Sequence, residues 1–145
     1  MPALDIAEIA DADVEAVAAL WARCGLTRPW NDPAADIAFA RSVPGAAVLV
    51  GRAGGEIVAS AMVGHDGHRG TVYYVSVDPD RQGEGHGRGI MAAAEDWLRR
   101  QGVWKLNLMV RADNTRVVAF YNALGYDTEE RINMSKWLDP SKRPG

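Results

Sequence analysis

The stretch DRQGEGHGRG, residues 80–89, places glycines at 83, 85, 87 and 89, between a segment patterned as a strand and one patterned as a helix. A glycine in regular structure costs roughly 0.5–1 kcal/mol relative to alanine, so a run of them answers a geometric need. Strand, glycine-rich turn and helix in succession present bare backbone N–H groups at a helix N-terminus, where an anion can be held. Side chains there would block a bulky phosphate. A flexible loop with no ligand is the simpler alternative.

The flanking patterns agree. TVYYVSV (71–77) is rich in β-branched and aromatic residues and predicts a strand. A helix is predicted from about Gly87 to Gln101, closed by Gly102. Upstream, 4–9 reads as a short strand. Asp11 or Asp13 caps a helix carrying Val14, Val17, Ala18, Trp21 and Cys24, and Gly25 stops it. LTRPWNDP is a loop ending in an Asp32 N-cap and Pro33, which start a second helix bearing Ile37 and Phe39. Strands at 46–52 and 56–64 are joined at Gly54–Gly55, a hairpin signal, and the turn HDGHRG leads into 71–77. After the glycine helix come a strand at 105–110, a helix at 115–124 capped by Asn114, and a terminal hairpin in YDTEERINMSKWL. The tryptophans 21, 97, 104 and 137 read as packing.

The order β-α-α-β-β-β-α-β-α-β-β predicts a single domain over residues 1–145. Its fold class is α/β (α+β), with a central mixed, mostly antiparallel sheet flanked by helices on both faces. A chain of 145 residues is long enough for a real core and short for two domains. The net charge of −3 speaks against nucleic acid as a partner. One cysteine, Cys24, excludes an internal disulfide and a thiolate metal cluster, and no metal is expected. The early acids and the lack of a long apolar run predict neither a signal peptide nor a membrane span, hence a soluble, cytoplasmic protein.

Three anion-binding patterns compete for the loop. A Walker loop needs Gly-Lys-Ser/Thr, and Gly87 and Gly89 are followed by Arg88 and Ile90. A dinucleotide fingerprint can be forced on Gly87-x-Gly89-x-x-Ala92, but it begins inside the helix and the next strand ends without an acid. The third pattern is Gln82-x-x-Gly85-x-Gly87, preceded by Val77-x-Pro79.

VSVDPDRQGEGHGRGIMAAAEDWL resembles the pyrophosphate-binding motif of the GNAT family of N-acetyltransferases, and NTRVVAFYNALGY resembles that family's second signature. The two stand in the family's order, one helix and one strand apart. RPWNDP, DGHRG and the paired tyrosines are similar to the YpeA-like bacterial branch. The resemblance implies acetyl-CoA as donor and an amine, small molecule or protein, as acceptor, by direct attack. A homodimer is left open.

On these residues the resemblance implies the following. Backbone N–H groups of Gly83, Glu84, Gly85, His86, Gly87 and Arg88 surround the pyrophosphate, Gln82 opens the loop, and Arg81 and Arg88 add charge. Val75, Ser76 and Val77 pair with the pantetheine arm in a cleft between strands 71–77 and 105–110, and the N–H of Val75 meets the acetyl carbonyl. Asn114 caps its helix and hydrogen-bonds the pantetheine. Tyr121 protonates the departing thiolate; packing at the helix margin is its alternative role. The positions where relatives carry a glutamate base hold Thr71 and Met109, which cannot take a proton. Base candidates that remain are Asp32, His65, Asp66, His68, Tyr73 and Tyr74, or a water relay. The acceptor is expected near Trp30, Asn31, Asp32, Asp66, His68 and Tyr74, although Trp30 also suits a core plug. A CoA-binding sensor without turnover is the competing function, and a dinucleotide-binding domain the third.

Overall fold

β-Branched runs set between paired glycines build the centre of the molecule. A computed structural model describes residues 4–144; Met1 to Ala3 and Gly145, at the ends of the expected domain, lie outside the described residues. The chain divides into two compact units, 1–108 and 109–145. In the first, β1 (Asp5–Glu8), β2 (Ala46–Ala53), β3 (Glu56–His65) and β4 (Gly70–Val77) form an antiparallel sheet in the order β1-β2-β3-β4. The β2–β3 hairpin turns at Gly54 and Gly55, whose φ values of 60° and 84° are the left-handed pair that matches strand twist.

Helices cover both faces. α1 (Val14–Arg23) follows a 3-10 turn at Asp11–Asp13, and Asp13 accepts the backbone N–H of Ala10 at 3.0 Å while pairing with Arg52. α2 (Pro33–Arg41) starts as expected, with Asp32 accepting from the N–H groups of Ala34 and Ala35 at 3.0 and 3.3 Å. Trp21 and Ile37 from these helices pack with Val48 and Val50 of β2. Ala47 and Leu49, alternating with those valines and also buried, face the other side, where α3 (His86–Arg100) lies. Ile37 is buried and Phe39 is 74% exposed, because residues two apart on a helix point away from each other.

The expected strand at 105–110 is reduced to one parallel bridge, Gly70 to Leu106. Gly70 N–H donates to Lys105 O and Asn107 N–H to Gly70 O, both at 2.9 Å, and no further rung follows among the described residues. β4 is bent farther along by a bulge, beyond which its pairing with β3 resumes at Ser76 and Val77. In the second unit, α4 (Thr115–Ala123) is the expected helix. Residues 126–138, expected as a hairpin, carry no strand, and Ile132, Met134 and Leu138 are exposed. Two strands alone are marginal without a third to extend. Trp104 (92% exposed) and half-exposed Trp137 are not core, unlike Trp21 and Trp97; Trp104 sits in the short link after α3, uncovered among the described residues. Among the described residues no helix is long and apolar enough to cross a membrane.

Candidate active site

The glycine loop begins where β4 ends. Asp78, buried and paired with Arg23 at 3.0 Å, caps a 3-10 turn at Pro79–Arg81 by accepting Asp80 N–H at 3.0 Å. Gln82 folds back, its Nε2 donating to Val77 O at 3.0 Å. Gly83 and Gly85 then take φ values of 79° and 84°, a conformation that excludes most side chains. These two glycines therefore have a backbone reason of their own, and space around both is open.

Gly85 is the N-cap of α3. No side chain caps that helix and no acid occupies its first turn. Its leading N–H groups are thus free for an anion and carry the positive end of the helix dipole. Glu84 is held at the edge: Arg81 Nε donates to both its oxygens at 3.0 and 3.1 Å, and His86 Nε2 lies 2.9 Å away. The His86 hydrogen bond, then Arg81, holds the Glu84 carboxyl below the usual range. Arg81, also 3.4 Å from Glu56, is spoken for, contrary to the expectation that its charge serves a phosphate. The His86 ring is buried, which leaves only its backbone N–H to a ligand. Arg88 is exposed.

β4 is an edge strand beyond its bridge to Leu106. Its register against β3 runs Met62 to Tyr73 and then Ser60 to Ser76, so Tyr74 and Val75 are without partners across the ladder. Tyr74 has a φ of 54°, uncommon for a bulky residue and worth about 1–3 kcal/mol of strain. Two contacts hold it there. Its ring stacks on Trp21, centroids 3.9 Å apart and planes 3° from parallel, and its hydroxyl donates to Asp36 Oδ2 at 2.6 Å. Burial, then the Asp36 carboxylate, pushes the Tyr74 phenol far up, so it does not act as a base near neutrality. Ser76 Oγ is buried and donates to Ser60 O at 3.2 Å, so its side chain belongs to the sheet.

A groove of about 570 Å³ lies beside this bulge, and Asn31, Asp36, Tyr73 and Tyr74 line it. Trp30 does not line the groove, and at 47% exposed it is no core plug either. Asp32 is spent on its helix cap. Asp66 is exposed and accepts the N–H groups of His68 and Arg69 at 2.9 and 2.8 Å. Those bonds, Arg69 first, hold it below the usual carboxylate range; it shapes a turn. His68 is exposed in that turn, and neither residue lines the groove. Asp36, absent from the sequence expectations, is the acid brought in. The one sequence signal was an acid inside a short, otherwise mostly small and apolar helix, PAADIAFAR.

In the second unit Asn114 caps α4, its Oδ1 accepting Val117 N–H at 3.3 Å. Tyr121 meets Phe120 and Tyr126 edge to face at 5.0 and 5.7 Å, and burial raises its hydroxyl above the ordinary phenol value. It is a protonated donor at neutral pH.

The acetyltransferase (GNAT) family profile matches residues 14–126. An acetyltransferase of Pectobacterium atrosepticum is 44% identical over 126 residues, covering 87% of this chain and 89% of the relative. One from Yersinia enterocolitica is 41% identical over 135 residues, 93% and 96% of the two chains. Among solved structures, an aminoglycoside N-acetyltransferase in complex with CoA superposes with a TM-score of 0.81 at 19% identity, over 95% of this chain and 97% of that one. The Escherichia coli ribosomal-protein-S18-alanine N-acetyltransferase gives 0.74 at 24% identity, over 88% and 79%. The glycine-capped helix, the bulged edge strand and these likenesses converge: the chain belongs to the GNAT family and is an acetyltransferase.

Proposed function

We propose that the chain, as one catalytic domain, transfers an acetyl group from acetyl-CoA to an amine. The observation that carries this reading is the uncapped, acid-free start of α3 following directly on an open strand edge. The N–H groups from Gly83 to Arg88 would hold the pyrophosphate. The edge of β4 at Val75, Ser76 and Val77 would pair with the pantetheine arm as an added strand once Gln82 Nε2 and Cys24 Sγ release Val77 O, and the bulge leaves Val75 N–H available to the acetyl carbonyl. Bound acetyl-CoA supplies a thioester open to attack by a neutral amine. The amine nitrogen forms the C–N bond as the C–S bond breaks. As the family resemblance implies, Tyr121 hydroxyl would give its proton to the departing sulfur, and the nitrogen's proton would pass to water, since Thr71 and Met109 offer no base. Asn114 would add a hydrogen bond to the pantetheine from its free amide nitrogen.

Thiol release from acetyl-CoA across a panel of amines, beside calorimetric titration with CoA, tests the proposal. CoA binding with amine-dependent release is expected. Binding without release for any amine would replace it with the sensor reading, and NAD binding in place of CoA would overturn both.

A further inference from the structure

We propose that the groove between α2 and β4 selects the acceptor. Its occupant is a primary amine, cationic in solution, carried on an aromatic or branched aliphatic body, and Asp36 recognises the ammonium. The inference rests on the amine acetylation proposed above and adds the substrate class.

Size and lining come first. A volume of about 570 Å³ suits one small molecule. Leu26, Phe39, Val43 and Met62 make its walls mainly apolar. Phe39 is 74% and Tyr73 47% exposed, so large apolar side chains face water at one concave place where a polar surface would cost nothing. A polar acceptor such as a sugar would leave those walls wet and its own hydroxyls short of partners.

Charge comes second. Among the described residues lining the groove, Asp36 is the one charged side chain, with no lysine, arginine or histidine. The local field therefore favours a cation and disfavours a phosphorylated acceptor. Asp36 is also preorganised. Tyr74 hydroxyl holds Oδ2 at 2.6 Å, and the stack on Trp21 fixes that tyrosine, while Oδ1 accepts no hydrogen bond among the described residues. The free oxygen is the natural partner of an ammonium, which gives one proton to water before its nitrogen attacks the thioester. The same tyrosine belongs to the bulge next to Val75, so an amine held at Asp36 stands beside the strand proposed to carry the thioester.

The test uses the full chain with acetyl-CoA and three probes: 2-phenylethylamine, ethanolamine and O-phosphoethanolamine. Thiol release gives kcat and KM, and calorimetry gives amine affinity without turnover. A kcat/KM for 2-phenylethylamine at least about 10-fold above that for ethanolamine is expected, since even one methylene in an apolar pocket is worth roughly 10–200-fold. O-phosphoethanolamine should be the poorest. Asp36→Asn keeps an acceptor for Tyr74 hydroxyl and removes the charge. It should raise KM for 2-phenylethylamine about 10-fold or more while CoA affinity holds, a split that a merely structural pair would not give. Equal use of the three amines, or an unchanged KM in Asp36→Asn, overturns the proposal. Amine binding weakened by Asp36→Asn but without turnover by any amine keeps the groove's assignment and removes the acetyl transfer. A homodimer that Phe39→Asp dissociates, with no amine bound by the parent, puts a second copy on this face and overturns the groove's assignment.

Discussion

Tyr121 and Asp13 show how surroundings set a side chain's protonation, upward in one case and downward in the other. Tyr121 is protonated, buried enough to stay so, and packed against two rings that a phenylalanine would also satisfy. Tyr121→Phe should therefore lower kcat by about 10²–10⁴-fold while acetyl-CoA affinity and melting temperature change little. Near-parental kcat in a chemistry-limited assay would return the residue to packing. Asp13 is a different case: the Ala10 N–H and Arg52 together outweigh burial and lower its pKa. Its folded value lies below the unfolded one near 3.9, so its stabilisation is complete above about that pH and is lost as pH falls through the folded value. Asp13→Ala should cost about 1–3 kcal/mol at pH 7 in urea unfolding, and the gap from the parent should narrow in acid. The caps at Asp32 and Asn114 were legible in the sequence because capping is a local preference of residue type. The left-handed Tyr74 was not, since nothing local favours that conformation in a tyrosine. Nor was its bond to Asp36, which joins positions 38 apart and exists only once α2 lies on the sheet.

At the scale of elements, α3 seats closely on β4 at the ends remote from the loop. A Cβ placed on Gly70 would come within 2.6 and 2.8 Å of the Leu98 methyls, so this glycine lets the helix seat on the strand at the point where Leu106 bridges. Gly70→Ala should destabilise by about 1–3 kcal/mol through overpacking of buried Leu98, seen as a lower urea midpoint at unchanged slope. An unchanged midpoint would mean that α3 has room to move. β2 and β3 were readable from the Gly54–Gly55 turn, β4 from its β-branched and aromatic run, and α3 from its closing glycine. The segments 105–110 and 126–138 share the alternation of strands but not the partners: pattern prescribes a face, and pairing needs a neighbouring strand. Phe39 is an apolar residue on the outer side of a correctly read helix.

The whole molecule carries a net charge of −3, yet it is proposed to bind a polyanion. Such binding must come from local, oriented donors rather than from a basic surface, and the proposed donors are the N–H groups at the start of α3. Gly83 and Gly85 cannot test this cleanly, because their positive φ makes any side chain strained whether or not a ligand is bound. Gly87 sits inside the first turn of α3 and lacks the positive φ of Gly83 and Gly85, so a side chain there is not excluded by backbone conformation. The most direct measurement is therefore calorimetric titration of CoA into the full chain and into Gly87→Val, with melting temperatures taken in parallel. The parent should bind at low micromolar to submillimolar concentrations, on the scale of common KM values of roughly 1 μM–1 mM, and the folded variant at least about 10-fold more weakly. A folded Gly87→Val protein that binds CoA as tightly as the parent would contradict the claim that this loop holds the pyrophosphate.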